Sequence, residues 1–334
     1  MSLRQIAQKL ELSITTVSRA LGGHSDVSEA TRERIAHEAR RIGYVPNEMA
    51  RRLQKGRADA LGIVFPGGPE TFDDTYLLTI LEGVWDRLEE REMDLLVYPM
   101  AVGTREAASC RRLVEGRRVD GLILTRVRED DPRIAYLLSI DFPFVTIGTG
   151  GFDDPRVMTV DIDNVAAMRD VLVYLKGLGH RVIACGGPMD LLFTSMRHQV
   201  FVQVAGELDL TPVPLVEEGT PQGGVKIAER IFEAHPDVTA LVCVMDHVTL
   251  GVLSEMQRRG IAAGSDLSVV SFGDTQLARA SRFSVAALRL PIRDMAVSAV
   301  DLLLRRIDGL PTGPVAEYPA EFMLRETVGA PKRR

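Results

Sequence analysis

Apolar residues in the first 57 positions recur three and four apart, in short runs. Ile6, Ala7 and Leu10 form one stripe, in a helix capped by Ser2 and reaching about Glu11. After a break at Leu12-Ser13, Val17, Ala20 and Leu21 form a second stripe over Ile14–Leu21, closed by Gly22-Gly23. Ser28 caps a third helix, TRERIAHEARRIGY, which stops at Gly43. A last short pattern, EMARRLQKG, starts at Pro46-Asn47, sets Met49, Ala50 and Leu53 on one face and ends at Gly56. A segment this short does not hold a helix alone in water.

From Ala60 the period changes. Short β-rich runs (ALGIVFP, DLLVYP, VDGLILT, PFVTIG) alternate with amphipathic stretches such as LLTILEGVWDRLEER and REAASCRRLVEG. After Asp161-Ile162-Asp163 the alternation restarts with VAAMRDVLVYLKGLGH, RVIACGG, a helix near 195–207, VPLVEE, GVKIAERIFEAH, TALVCVM, HVTLGVLSEMQRRG and LSVVSFG. Buried strands separated by helices predict parallel sheets with right-handed crossovers. Two such series are too long for one open sheet, so the pattern predicts two similar α/β lobes. The fold expected is an N-terminal all-α helix-turn-helix head on a two-lobed α/β body with parallel sheets.

Composition narrows the class. At 334 residues, with 46% hydrophobic and 26% charged residues, the chain has the make-up of a soluble multidomain protein rather than a disordered one. No apolar run is long enough for a membrane span, and Arg4, Lys9 and Glu11 interrupt what a signal peptide would need; a cytoplasmic location is expected. Cys110, Cys185 and Cys243 are odd in number and far apart, which suits buried thiols and neither a disulfide framework nor a zinc site. The net charge of −6 is unevenly spread. Residues 1–60 carry 11 basic and 7 acidic side chains, the remainder 29 and 39, so the basic end is the piece suited to a polyanion.

Two short helices braced by a third form a helix-turn-helix, whose second helix enters the major groove N-terminus first. Ser13, Ile14, Thr15, Thr16, Ser18 and Arg19 lie off its apolar stripe or at its start. Short hydroxyls suit phosphates, and Arg19 can fork onto a guanine edge. A protein-binding bundle fits the same pattern. The basic segment around Leu53 could wedge a side chain between base steps or serve as a solvated linker.

The body shows no catalytic constellation. Gly67-Gly68, Gly150-Gly151, Gly186-Gly187 and Gly223-Gly224 lack the P-loop lysine and dinucleotide spacing. There is no nucleophile elbow. His24, His37, His180, His198, His235 and His247 form no metal-binding pair, and Asp73-Asp74 and Asp153-Asp154 read as solvated or capping carboxylates. No catalytic residue, metal or cofactor is expected.

The strings TVSRAL, VS-x-x-TR-x-x-I and GY-x-PN-x-x-AR-x-L, with their spacing over about the first 57 residues, resemble the head of the lactose/galactose-repressor family of bacterial regulators. The resemblance implies a transcriptional regulator, a repressor of carbohydrate-utilisation genes, that binds double-stranded DNA at a pseudo-palindromic operator. It implies that Ile14, Thr15 and Arg19 read base edges. Leu53, helped by Ala50, would open the operator centre, and Ser13, Thr16, Ser18, Ser28, Thr31 and Asn47 would contact the DNA backbone. Gly22 stands where many members have asparagine.

By the same resemblance, residues 1–57 form the head, with a hinge helix at about 46–55. Residues 60–334 form a periplasmic-binding-protein-like body that dimerises and binds a small carbohydrate between its lobes. Lobe one takes about 60–161 and 291–320, lobe two about 162–290 and 321–334, with crossings near 161–164, 288–291 and 318–323. Arg197 falls at the effector-gripping arginine. Phe72, Asp73, Asp74, Tyr76, Thr220, Asp246, Asp274 and Ile292 are the other candidate effector residues, and His180 is structural.

Three positions depart from the family pattern. Met245, Gly273 and Gly148 stand where polar ligand contacts are usual, each missing hydrogen bond costing about 0.5–1.5 kcal/mol. Either Asp73, Asp74 and Asp274 compensate, or the effector is larger and more apolar, or the site is no standard sugar site. A chain ending soon after EFMLRET is expected to lack a tetramerising heptad tail. The rival reading is a sugar-binding sensor that acts on protein partners.

Overall fold

The computed structural model describes residues 2–22, 26–44, 56–67, 75–101, 106–148, 152, 154–274, 284–313 and 315–332. The chain divides into two compact units, 1–58 and 59–334.

In the first unit, α1 (Leu3–Leu10), α2 (Ile14–Leu21) and α3 (Glu29–Arg41) close on a core of Ile6, Ala7, Val17, Ala20, Val27, Ile35 and Ala39. The two later helices begin in the same way. Ser13 Oγ accepts from Thr16 N at 3.0 Å, Ser28 Oγ accepts from Thr31 N at 3.4 Å, and in each pair the hydroxyl oxygens lie 2.8 Å apart. Helix α3 ends through Gly43 at φ +64°, where Tyr44 N donates to Ala39 O and Gly43 N to Arg40 O. The left-handed turn that glycine permits satisfies the last carbonyls. The pattern EMARRLQKG, with Asn47, Ala50 and Leu53, lies outside the described residues apart from Gly56.

The second unit holds two six-stranded sheets. The first runs β11-β5-β4-β3-β1-β2, from β1 (Ala60–Gly67), β2 (Asp94–Ala101), β3 (Gly121–Thr125), β4 (Phe144–Ile147), β5 (Met158–Ile162) and β11 (Val315–Tyr318), paired in parallel throughout. The second runs β12-β10-β9-β8-β6-β7. Its members are β6 (Val182–Gly187), β7 (Thr211–Val216), β8 (Ala240–Cys243), β9 (Ser268–Phe272), β10 (Ala286–Arg289) and β12 (Glu321–Met323). Only β12 pairs antiparallel.

Helices α4 (Thr75–Glu89), α5 (Glu106–Glu115), α6 (Pro132–Ser139) and α11 (Ile292–Ile307) go with the first sheet. Helices α7 (Asn164–Leu178), α8 (Leu192–Glu207), α9 (Pro221–Ala234) and α10 (Asp246–Arg259) go with the second. The chain passes between sheets after β5, after β10 and between β11 and β12. Strands β3, β4, β5, β8 and β9 are buried along their whole length, as the apolar runs predict for parallel strands covered on both faces.

The Gly223-Gly224 cluster has a packing role. A Cβ on Gly224 would lie 2.1 Å from Val248 O, and one on Gly251 would lie 1.8 Å from Pro221 O. Glycine at both positions lets α9 and α10 touch backbone to backbone. His180 is likewise structural: Nδ1 pairs with Thr239 Oγ1 and Nε2 with Gly329 O, and burial lowers its pKa. The thiols of Cys110, Cys185 and Cys243 are buried, and burial pushes that of Cys243 up to about 12. Among the described residues no helix is long and apolar enough to cross a membrane, and no three potential ligands cluster for a metal.

Candidate functional sites: the recognition helix and the inter-lobe cavity

Helix α2 presents a polar face beside its buried Val17 and Ala20. Ser13, Ile14, Thr15 and Arg19 are exposed, Thr16 and Ser18 half-buried. Ile14 stands 44% exposed, an isoleucine left outside the head's small core. In the Ser13–Thr16 and Ser28–Thr31 pairs one hydroxyl proton satisfies the partner oxygen, and the other remains to donate to a phosphate. Both pairs sit at exposed helix N-termini, where backbone N–H groups favour anions. Arg19 is held by Asp26, through Nη2 at 2.8 Å and Nε at 3.2 Å. Asp26 went unnoticed in the sequence because an acidic residue beyond a glycine pair carries no helical register.

Between the lobes lies a cavity of about 500 Å³, within the range of small-ligand sites. Lobe one contributes Tyr76, Gly148 and Asp161, lobe two Phe193, Arg197, Asp246 and Phe272, and the crossing into α11 contributes Ile292.

Arg197 is the centre of the site. It is 7% exposed and enclosed by two rings, its guanidinium carbon 4.3 Å from the Phe272 centroid and 4.9 Å from that of Phe193. Nη1 donates to Val244 O at 2.7 Å and Nε to Asn164 Oδ1 at 3.4 Å, which fixes the plane of the fork. Nη2 has no hydrogen-bond partner among the described residues. Burial pulls the guanidinium pKa down to about 10, against the opposing effect of Asp161, Tyr76 and Asp246, so it stays charged at neutral pH.

Asp161 closes the last buried strand before the first crossing, and its Oδ1 accepts from Ile162 N at 2.7 Å. Asp246 opens α10. Burial works to raise its pKa, but the hydrogen bond and charge of His247 outweigh that and hold it low. The site thus sets a charged guanidinium among carboxyl groups, with aromatic walls.

The three departures all line this cavity, and two have a conformational basis. Gly148 and Gly273 have φ of +80° and +110°, where side chains are rare. Near Gly148, the Tyr76 hydroxyl lies 3.6 Å from where a Cβ would stand; near Gly273, the Asp246 Cβ does the same at 3.6 Å. Tyr76 and Asp246 thereby bring polar groups to walls that the glycines leave bare.

Two candidates stand differently from the expectation. Thr220 is not among the lining residues; its Oγ1 caps α9 by accepting from Gly223 N at 3.1 Å. Asp274 reaches the wall, and both its oxygens are bonded to arginines. Arg325 donates to them at 2.7 and 2.9 Å, and Arg289 Nε donates to Oδ2 at 3.0 Å. Phe72, Asp73 and Asp74 lie outside the described residues. Sequence reasoning passed over Asp161, Phe193 and Phe272. A carboxylate at the end of the apolar run MTVDI was the one available signal.

Residues 2–47 match the model for bacterial regulatory proteins of the lacI family, and residues 172–328 match that of a periplasmic binding protein-like domain. The HTH-type transcriptional regulator AglR of Rhizobium meliloti (strain 1021) is 30% identical over 99% of this chain and 96% of its own length. The chain belongs to the LacI family. It is a DNA-binding transcriptional regulator, as its relatives are. RafR of Escherichia coli, also an HTH-type transcriptional regulator, is 33% identical over 92% of this chain and 93% of its own.

Among solved structures, a complex of the transcriptional regulator CelR with cellobiose has a TM-score of 0.75 at 26% identity, covering 98% of this chain and 99% of that one. A lac repressor dimer bound to operator and the anti-inducer ONPF has a TM-score of 0.86 over 99% of both chains. At 20% identity that likeness shows the LacI-family fold alone.

Proposed function

We propose that this LacI-family regulator is a cytoplasmic, homodimeric repressor of carbohydrate-utilisation genes whose operator affinity is set by a sugar bound between the lobes. The observation that carries the reading is the buried Arg197 fork, fixed by Val244 O and Asn164 between Phe193 and Phe272, with Asp161 and Asp246 on the same cavity. A sugar hydroxyl both donates and accepts. Carboxylates accept a hydrogen bond from its O–H, a guanidinium donates one to its oxygen, and aromatic faces pack against the C–H faces of the ring. Tyr76 and Ile292 complete the walls. CelR, which binds cellobiose in a structure of the same fold, supports a sugar of this general class.

At the other end, Ile14, Thr15 and Arg19 read base edges, and Ser13, Thr16, Ser18, Ser28 and Thr31 hold phosphates. Asn47, Ala50 and Leu53 are assigned from the sequence motif to the backbone and the operator centre. The head occupies 1–57 and the body 60–334. A two-state body transmits the effector only through its differential affinity for the two states.

Calorimetry of the full chain against glucose, cellobiose, maltose and raffinose tests the sugar assignment. Binding by at least one sugar, lost in Arg197→Ala, is the expected result. Binding unaffected by Arg197→Ala would place the effector elsewhere.

A further inference from the structure

Helix α8 starts without a cap of its own. Its N-cap is Leu191, which has no side-chain acceptor. The N–H of Leu192 instead donates to the carbonyl of Val127 at 2.9 Å. Leu192 opens a lobe-two helix, and Val127 lies in the loop after β3 in lobe one. The Leu192 side chain goes the same way and packs, half-buried, against the lobe-one cluster that contains Leu124, Val127 and Ile134. Backbone and side chain of one residue therefore cross between the lobes together. They do so at the edge of the cavity, next to Arg126 and Phe193, which line it.

The receiving loop is held firmly. Arg126 and Asp130 adopt left-handed φ of 50° and 53°, uncommon for residues with side chains. The Asp131–Arg133 ion pair, with both side chains wholly buried, fixes this path. Arg133 Nη2 donates to the carbonyls of Thr125 and Arg126 at 3.2 Å each. Asp131 accepts from the backbone N–H of Arg128 at 3.3 Å and of Arg133 at 2.9 Å. Val127 lies between the carbonyls held by the arginine and the amides held by the aspartate. A buried ion pair is a poor source of stability, because desolvation offsets the attraction, but it can single out one loop conformation.

We propose that Leu192 and the Thr125–Arg133 loop form an inter-lobe latch that positions Arg197 in the cavity. Arg197 follows five residues along the same helix, so the place where lobe one pins the first turn of α8 sets the place of the guanidinium. Leu192 is a positioning residue that acts through Arg197. The latch deepens the reading of the cavity as the effector site, and its use to the effector rests on that reading.

Proline at the first helical position keeps a helix and removes one N–H. Leu191 has the extended backbone (φ −111°, ψ 144°) that a residue before proline favours. Leu192→Pro therefore deletes the latch hydrogen bond and spares α8, whereas Leu192→Ala keeps the hydrogen bond and removes the packing.

The test uses the full chain with no sugar present. Amide hydrogen exchange reads the Leu192 N–H, and NMR with ¹⁵N-arginine reads exchange of the Arg197 Nε–H, assigned through Arg197→Lys. Arg133→Met removes the bonds that hold the loop, and loosening the Leu192–Val127 hydrogen bond in consequence by about the worth of one such bond predicts about three- to tenfold faster Leu192 exchange. A similar acceleration is expected at Arg197 Nε–H in Leu192→Pro, with the amides of Phe201 and Val204 unchanged. Leu192 exchange as fast in the parent as in Arg133→Met, or an Arg197 signal indifferent to Leu192→Pro, overturns the latch. Neither result depends on whether a sugar binds, so failure of the latch is separate from failure of the effector reading.

Discussion

The helices of the head and the helix that carries Arg197 begin in opposite ways. Helices α2 and α3 are capped from within, each by a serine bonded to the threonine three residues on. Helix α8 is capped from the other lobe, by a carbonyl 65 positions earlier in the chain. The head needs only its own short sequence to present its polar face, whereas the cavity exists only where two lobes meet. Disruption should therefore stay local in the head and spread in the body.

The largest expected effect is at the cavity. Arg197→Ala removes a buried charge-assisted donor and leaves Asp161 and Asp246 on the cavity without it, which should weaken effector binding by about 2–5 kcal/mol. Calorimetry measures it, and DNA affinity in the absence of sugar should stay unchanged. Next comes the head. Arg19→Ala should cost about 1–3 kcal/mol on the cognate operator and flatten discrimination at one base pair per half-site. Equal losses on specific and random DNA would reduce Arg19 to a phosphate contact. Asp161→Ala, at the end of β5, should weaken sugar binding by about 1.5–3 kcal/mol, with Asp161→Asn retaining part of it because the amide oxygen still accepts.

These contrasts follow what was legible in the sequence. The boundaries of α2 and the Ser28 cap of α3 were readable because each depends on residues within a turn or two, while the Ser13 cap of α2 emerged with the structure. The parallel strands were readable because burial on both faces leaves long apolar runs, whereas the places of the crossings came from the family resemblance and not from the pattern. The cavity was not readable in the same way. Arg197 was found through a family motif, while Phe193 and Phe272, which enclose it, come from different elements and meet only in three dimensions. Thr220 reads in sequence like any polar loop residue, yet it is a helix cap. Asp274 lines the cavity as the resemblance implied, but its pairing with Arg325 and Arg289, far apart in sequence, had no local signal.

Two smaller effects sharpen the comparison. In the body, burial works to raise the Asp131 pKa, but the Arg133 hydrogen bond and charge outweigh it, so the carboxyl titrates below its ordinary 3.8. A carboxylate with a depressed folded pKa contributes stability that is complete above 3.8 and lost as the pH falls through the lower folded value. Denaturation of the parent and of Asp131→Asn should therefore differ most near neutral pH and converge in acid. In the head, Arg19 and Asp26 are each about half exposed, so Asp26→Ala should change stability and operator affinity by less than about 1 kcal/mol. A larger change would show that Asp26 sets the approach of Arg19 to the base.

The central claim is that the cavity and the recognition helix are coupled. The most direct measurement is operator affinity of the full chain, titrated with and without saturating sugar, for the parent and for Arg197→Ala at one fixed salt concentration. Sugar should shift the parent's affinity for its operator by about 5- to 150-fold, the usual size of an allosteric coupling, and leave Arg197→Ala unmoved. A sugar that binds the parent in calorimetry yet leaves its operator affinity unchanged would contradict it.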